Sequence, residues 1–337
     1  RTLNQAGTRD IHKRAVTYTS HELWDKPTMP ITVSQKTLIS AICACLLLSG
    51  CTKSQANDSE ASPRLLENIS YIPGSNNPAQ TLDLFFPENA KGKLPLIVWI
   101  HGGAWLGGDK EPAPIGQFLN HGYAAASINY RLSSESKFPA QIHDCKAAIR
   151  FLRANADKYN IDPNRIGVFG LSAGGHLCAL MGVTNGEKQF EGNEGITNQS
   201  SAVQAVCDWC GPSDLFTIRQ QAGNNSELDY SSEKSPVRQL LGGEVNTMKD
   251  AARLASPVFF ASKGDPPFLI MHGNKDVVVP LKQSEELHEA LKKAQVQTTF
   301  QVVKDAPHWF LTAENVRRVV EFFDDHLKPM PNTASTQ

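Results

Sequence analysis

Residues 166–181 read Ile166-Gly167-Val168-Phe169-Gly170-Leu171-Ser172-Ala173-Gly174-Gly175-His176-Leu177-Cys178-Ala179-Leu180-Met181. A short apolar run of strand character leads into Gly-x-Ser-x-Gly, and a run of helical character leaves it. A serine on a sharp strand-to-helix turn needs small neighbours, because the backbone doubles back and a Cβ beside it would clash. Such a turn lifts the serine Oγ clear and aims backbone N–H groups at the same point. The pattern alone is weak. At usage near 7% each, its three fixed positions arise by chance in about one chain in ten of this length. The competing reading is a tight turn with a surface serine, so the decision falls to the rest of the chain.

The segments on either side alternate in type. Leu65 to Tyr71 and Thr81 to Phe86 read as strands joined by the turn-rich Pro73-Gly74-Ser75-Asn76-Asn77-Pro78. Leu94-Pro95-Leu96-Ile97-Val98-Trp99-Ile100 is an unbroken apolar run, as in a strand covered on both faces. Tyr123 to Asn129, Arg165 to Phe169, Ala205 to Trp209, Pro267 to His272 and Thr298 to Val303 read as further strands. Between Ala140 and Tyr159 the apolar positions Ile142, Cys145, Ile149, Leu152, Ala156 and Tyr159 fall on one helix face. Leu281 to Gln295 and Leu311 to Leu327 read as helices. Strands alternating with helices predict an α/β fold, a mainly parallel sheet with helices on both faces. Two stretches, 186–204 and 213–263, interrupt the alternation. The second is polar and predicts a partly helical insertion over the site.

Three loops that follow predicted strands carry the residue types that the serine needs. His101-Gly102-Gly103-Ala104-Trp105 comes directly after the strand ending at Ile100. Adjacent glycines let a loop turn its peptide N–H groups inward, where they can stabilise a developing oxyanion. Gly102, Gly103 and Ala173 are the candidate donors. His272-Gly273-Asn274-Lys275-Asp276 follows the next-to-last strand, and Asp276 is the candidate acid that orients an imidazole. Asp265 precedes that strand and reads as a turn residue. Asp305-Ala306-Pro307-His308-Trp309-Phe310 follows the last strand, with His308 the candidate base. His101 and His272 read as packing within their loops, His176 as part of the elbow helix, and His288 and His326 as solvated helix residues. Ser172, Asp276 and His308 occur in the chain order Ser…Asp…His.

From about Arg64 to Leu327 the chain resembles an α/β-hydrolase esterase with a His-Gly-Gly oxyanion loop, and most of all the bifunctional feruloyl and acetyl-xylan esterase-like domains. The match is carried by the segments quoted above, together with Asn129-Tyr130-Arg131-Leu132, Phe138-Pro139-Ala140, Gly211-Pro212-Ser213-Asp214-Leu215 and Val279-Pro280. Ala306-Pro307-His308 departs from relatives that have glycine before the histidine, and proline stiffens that loop. The resemblance implies a serine esterase acting through an acyl-enzyme on short acyl, acetyl or feruloyl esters, with plant glycans among the substrates. It implies no metal and no cofactor. An arylformamidase or small-molecule carboxylesterase is the alternative, since His-Gly-Gly-x-Trp occurs there too. A non-catalytic α/β-hydrolase used as a binding module is the alternative of another class.

The chain has 337 residues, 40% apolar and 20% charged, with a formal net charge of −1 and no basic run. That balance is ordinary for a globular protein and gives nucleic-acid binding no support. Residues 1–28 are polar and aperiodic and read as an upstream artefact before Met29. Residues 29–50 read as a signal segment, with an apolar stretch from Ile39 to Leu48 too short to span a bilayer. Leu48-Ser49-Gly50-Cys51 resembles a bacterial lipobox, which implies acylation of Cys51, anchoring to a membrane and residence in the cell envelope. A plain secretory signal is the alternative. Residues 51–63 then form a tether, 64–330 the hydrolase domain and 331–337 a tail. Cys207-Asp208-Trp209-Cys210 has CxxC spacing, yet it lies in a predicted buried strand without a second pair, so inert buried thiols are expected.

Overall fold

The computed structural model describes residues 64–328, apart from Asn89 and Asn225. The expectations for residues 1–63, Cys51 among them, and for the tail lie outside the described residues. The described chain runs β1 (Arg64–Ser70), β2 (Thr81–Phe86), β3 (Leu94–Ile100), α1 (Gly116–Asn120), β4 (Ala124–Ile128), α2 (Ala140–Ala154), α3 (Ala156–Tyr159), β5 (Ile161–Leu171) and α4 (Ala173–Val183). It continues through β6 (Ala205–Trp209), α5 (Ile218–Ala222), α6 (Pro236–Leu241), α7 (Lys249–Leu254), β7 (Phe268–Gly273), α8 (Leu281–Lys293), β8 (Thr298–Val303) and α9 (Ala313–Leu327). The eight strands form one sheet in the order β1-β2-β4-β3-β5-β6-β7-β8. β1 with β2 and β2 with β4 are antiparallel, and every later pairing is parallel.

The continuous apolar strands are covered on both faces. Leu96, Val98 and Ile100 of β3 join one buried cluster, with Ile142 and Ile149 of α2, Leu177 of α4 and Leu287 of α8. The alternate residues Ile97 and Trp99 join a second, with Phe118 of α1 and Val316, Val320 and Phe323 of α9. Successive strand side chains point to opposite faces, so the two clusters are the two helix-covered sides of one sheet. This is the α/β-hydrolase architecture that the sequence predicts.

Two details differ from the sequence reading. The helix expected over 140–159 breaks at Asn155 into α2 and α3, although its apolar face stays continuous and buried. α1 is five residues long, too short to display a period. In the insertion, the short helices α5, α6 and α7 alternate with turns. It is fastened to the loop after β7: Glu227 N–H donates to Val277 O at 2.8 Å and Tyr230 Oη–H to Val278 O at 3.0 Å.

β5 carries the serine, and its opposite face is clamped by α9. A Cβ on Gly167 would lie 2.5 Å from Phe323 Cε1, so glycine lets the aromatic ring sit directly on the strand. Phe323 is fully buried and meets Phe118 edge-on at 6.0 Å. Phe323→Ala is expected to lower the unfolding free energy by about 3–5 kcal/mol, the usual cost of emptying such a site. Urea unfolding midpoints measure this, and a loss under about 1 kcal/mol would show that α9 does not clamp β5.

Candidate active site

The parallel strands β3, β5, β6, β7 and β8 end side by side, and the candidate residues follow those ends. Ile100 pairs with Gly170, Gly170 with Asp208, Trp209 with Met271, and Gly273 with Val303. Loops leaving the C-terminal edge of neighbouring parallel strands therefore converge.

Ser172 sits at φ 58° and ψ −120°, between β5 and α4. Its N–H donates to Trp209 O at 2.7 Å, which ties the turn to the end of β6. A Cβ on Gly174 would come 2.0 Å from Ile100 O, and one on Gly170 would come 2.5 Å from the Gly174 backbone. Both positions therefore need glycine for reasons of space alone. The loop after β3 is equally close: a Cβ on Gly102 would lie 2.8 Å from Leu171 O and 3.4 Å from Ser172 Cβ. Gly103, Ala104 and Trp105 have φ of 107°, 55° and 58°. Among the described residues, the N–H groups of Gly102, Gly103 and Ala173 have no protein acceptor. They are the three groups that the sequence singles out as oxyanion donors.

Asn129-Tyr130-Arg131-Leu132 supports this loop from behind. Tyr130 stacks on His101 at 4.4 Å, and its hydroxyl donates to His101 O at 3.0 Å. Arg131 makes a bidentate pair with buried Asp144, Nε to Oδ2 and Nη2 to Oδ1, both at 2.8 Å. A paired guanidinium holds its plane as well as its position.

His308 Nδ1 lies 2.7 Å from Asp276 Oδ2. The other carboxylate oxygen accepts from the N–H groups of Val278 at 2.8 Å and Val279 at 2.9 Å. Proline before His308 does not keep the imidazole from its acid. The backbone of Ala306 and Pro307 instead lies where a Cβ on Gly273 would be, 2.3 Å from both carbonyl oxygens. Lys275 N–H donates to Ala306 O at 2.9 Å, and Asp305 N–H to Asn274 Oδ1 at 2.6 Å. The acid loop and the base loop thus clasp each other through backbone and the Asn274 side chain.

His272 does more than pack its own loop. It is fully buried, with Nε2 3.0 Å from both Asp276 Oδ2 and Val279 O, and Nδ1 2.7 Å from Ser284 Oγ. Two acceptors converge on Nε2, so that nitrogen carries the hydrogen. The signal missed in the sequence is spacing: His272 ends a strand four residues before Asp276, and the tight turn between them brings the ring back onto the carboxylate. Burial alone would raise the Asp276 pKa. Hydrogen bonds from His272 and His308 outweigh burial and hold the carboxyl well below the usual range. Its ionisation adds stability that is present above the ordinary carboxylate value of about 4 and is lost as pH falls through the depressed one.

Asp208, on β6 beneath the elbow, is a second residue outside the sequence reading. Its Oδ1 accepts from Gly211 N–H at 2.8 Å and would be 2.3 Å from a Cβ on Gly175, while Oδ2 has no protein partner. Burial pushes its carboxyl up to about 6. Cys145, Cys178, Cys207 and Cys210 are free and buried. Cys210 Sγ donates to His308 O at 3.5 Å, and it lies within 4.8 Å of ligand atoms of Asp276 and His308. Those last two are already engaged with each other, and burial pushes the Cys210 thiol up, so the cluster is a poor metal site.

An elbow serine, an imidazole on a carboxylate and unengaged N–H groups, all on the C-terminal edge of a twice-covered parallel sheet, define a hydrolase-type site on the α/β-hydrolase fold. The family model for BD-FAE matches residues 82–291, and the chain belongs to that family. Among curated proteins, Esterase LipC of Mycobacterium tuberculosis is 31% identical over 247 residues, 72% of this chain and 60% of LipC. The chain thus spans about three fifths of that relative's length. A truncated carbohydrate esterase from gut microbiota is similar in structure, with a TM-score of 0.72 and 36% identity, covering 81% of this chain and 99% of that one. The bifunctional GH43-CE protein of Bacteroides eggerthii is similar at a TM-score of 0.71 and 34% identity, over 77% of this chain and 38% of that one.

Replacing Asp276 with Asn keeps the shape and removes the negative charge 2.7 Å from His308 Nδ1. Asp276→Asn is expected to lower kcat on p-nitrophenyl acetate by about 10⁴, as loss of the equivalent acid does elsewhere. Near-UV circular dichroism checks that the fold is retained. A loss of less than tenfold would mean that His308 does not depend on this carboxylate.

Proposed function

We propose that the protein is a serine esterase that removes short acyl groups, acetyl or feruloyl, from plant glycans or their fragments. The observation that carries the catalytic part is the 2.7 Å contact between His308 and Asp276, on the same sheet edge as the strained Ser172 turn. Ser172 Oγ attacks the ester carbonyl while His308 Nε2 takes its proton. Negative charge develops on the carbonyl oxygen, and the N–H groups of Gly102, Gly103 and Ala173 face it. Losing one such donor costs about 10²–10³ in rate in comparable enzymes. The tetrahedral centre collapses as His308 returns the proton to the leaving alcohol. Water then repeats the cycle on the acyl-enzyme. Asp276 accepts from His308 Nδ1, which leaves Nε2 with the lone pair that takes the Ser172 proton.

Two features support a glycan ester. The similar solved structures include a carbohydrate esterase and a protein that joins GH43 to CE. Trp309, next to His308, is 59% exposed, and a bare indole face suits the apolar face of a sugar or a feruloyl ring. The Trp of His-Gly-Gly-x-Trp gives the arylformamidase alternative no help: Trp105 is 2% exposed and its N–H is bonded inside the fold. In a panel of p-nitrophenyl acetate, butyrate and octanoate, methyl ferulate, acetylated xylan and N-formylkynurenine, the expected order of kcat/KM has acetate above octanoate, with release of acetate from xylan. Octanoate turned over faster than acetate, or N-formylkynurenine above every ester, would overturn this reading.

The lipobox-like Leu48-Ser49-Gly50-Cys51 and the polar residues 52–63 support an anchor on Cys51 in the cell envelope. None of the described helices is long and apolar enough to cross a membrane. Mass spectrometry of the protein from its native host is expected to find a diacylglyceryl N-terminus at Cys51. An unmodified chain that begins before Cys51 rules this out.

A further inference from the structure

Trp105 and His176 belong to different parts of the site and meet in a buried hydrogen bond. Trp105 follows the two glycines after β3, and His176 lies in the first turn of α4, behind the serine. Trp105 Nε1–H donates to His176 Nδ1 at 3.1 Å, and the rings meet edge-on at 5.0 Å. The other ring nitrogen, Nε2, lies 2.8 Å from the carbonyl of Ala255, just past α7 in the insertion. An indole N–H can only donate and a carbonyl can only accept. The tautomer is therefore forced: Nδ1 carries the lone pair and Nε2 the hydrogen. His176 is fully buried, and burial pushes its pKa down to about 4. The ring is neutral at neutral pH, so both bonds stand.

We propose that His176 is a positioning residue: it sets the oxyanion loop through Trp105 and joins that loop to the insertion through Ala255. The loop needs such an anchor. Ala104 and Trp105 are not glycine, yet both are in the left-handed region at φ 55° and 58°. Backbone of this kind persists only where surrounding contacts over-determine it. Within the loop, Leu106 and Gly107 N–H close on Gly103 O at 2.9 and 3.1 Å, and Ser133 N–H holds Trp105 O at 2.8 Å. Those bonds fix the backbone of the turn. The indole N–H is the one side-chain polar contact from residues 102–105, and it ends on α4, the helix that follows Ser172.

The insertion shares the same ring. Ala255 N–H caps α7 by donating to Ala251 O at 2.8 Å, so its carbonyl carries the position of that helix. A displacement of the 249–255 segment would act on His176 Nε2 and, through one rigid imidazole, on Trp105. The segment after α7 is thus linked, through His176, to the loop that carries the Gly102 and Gly103 N–H groups. This assignment rests on the serine-esterase reading above.

Steady-state kinetics of the full chain on p-nitrophenyl acetate test it, with Trp105→Phe, His176→Leu, the double variant and His176→Asn. Oxyanion donors act in the transition state more than in the substrate complex. Each of the first two variants is therefore expected to lower kcat about tenfold or more, with KM held within about twofold. The double variant is expected to be no worse than the poorer single one, because both break the same link. His176→Asn places an amide oxygen near the Nδ1 position and is expected to recover part of the kcat lost in His176→Leu. Unchanged kcat in Trp105→Phe, or losses that multiply in the double variant, would overturn the proposal. If His176→Leu does not fold, Trp105→Phe, which leaves the His176 imidazole and its bond to Ala255 in place, decides alone. Ser172→Ala separates the two levels: activity that survives it sinks the serine-esterase reading, whereas activity lost there but kept in Trp105→Phe sinks only the role of His176.

Discussion

The backbone at Ser172 is the constraint on which the rest depends. A non-glycine residue at φ 58° and ψ −120° costs about 1–3 kcal/mol and holds only where its surroundings leave no alternative. Here they leave none. The chain must leave β5 in the middle of a sheet covered on both faces and enter α4 within one residue. Gly170 and Gly174 let the two arms of the turn approach, and Trp209 O takes the Ser172 N–H at 2.7 Å. α4 is buried along its whole length, so it cannot swing outward to relieve the turn. Packing on both sides of the sheet thus holds the serine in place, and the strain is the means by which Oγ is presented.

Around that turn the site is assembled from pairs of loops that touch through backbone. Gly102 meets Leu171 and Ser172, and Gly273 meets Ala306 and Pro307. Backbone contacts do not change rotamer, so they hold geometry better than side-chain contacts alone. Side chains then set charge and tautomer. Asp276 is kept ionised by His272, His308 and two backbone N–H groups, and His176 is kept neutral by burial between a pure donor and a pure acceptor. Two histidines near one serine sit in different surroundings: His308 is half-buried beside a carboxylate, and His176 is wholly buried beside none.

Much of this was legible in the chain. The glycines of Gly-x-Ser-x-Gly report close backbone approach at Gly170 and Gly174, whereas the contact of Gly102 with Leu171 and Ser172 appears only in the structure. The central strands β3, β4, β6 and β7 were legible because both faces are buried, which makes their sequences largely apolar. Other features were hidden for definite reasons. α1 and the helices of the insertion are five or six residues long, too short for a 3.6-residue period to register. The parts of His272 and Asp208 were hidden because a histidine or aspartate at a strand end looks the same whether it packs or pairs.

The class of fold, the order of the candidate residues and the loops on which they sit can be read from the chain, because strand ends and tight turns are local properties of a few adjacent residues. Tertiary contacts alone set which nitrogen of His176 and of His272 carries a hydrogen, leave His308 on Asp276 at 2.7 Å despite Pro307, and turn Trp105 inward. Those are properties of groups 32 and 71 residues apart in the chain, brought together when the sheet aligns its strand ends. Hydrogen-bond partners chosen over such separations leave no periodic mark in the sequence.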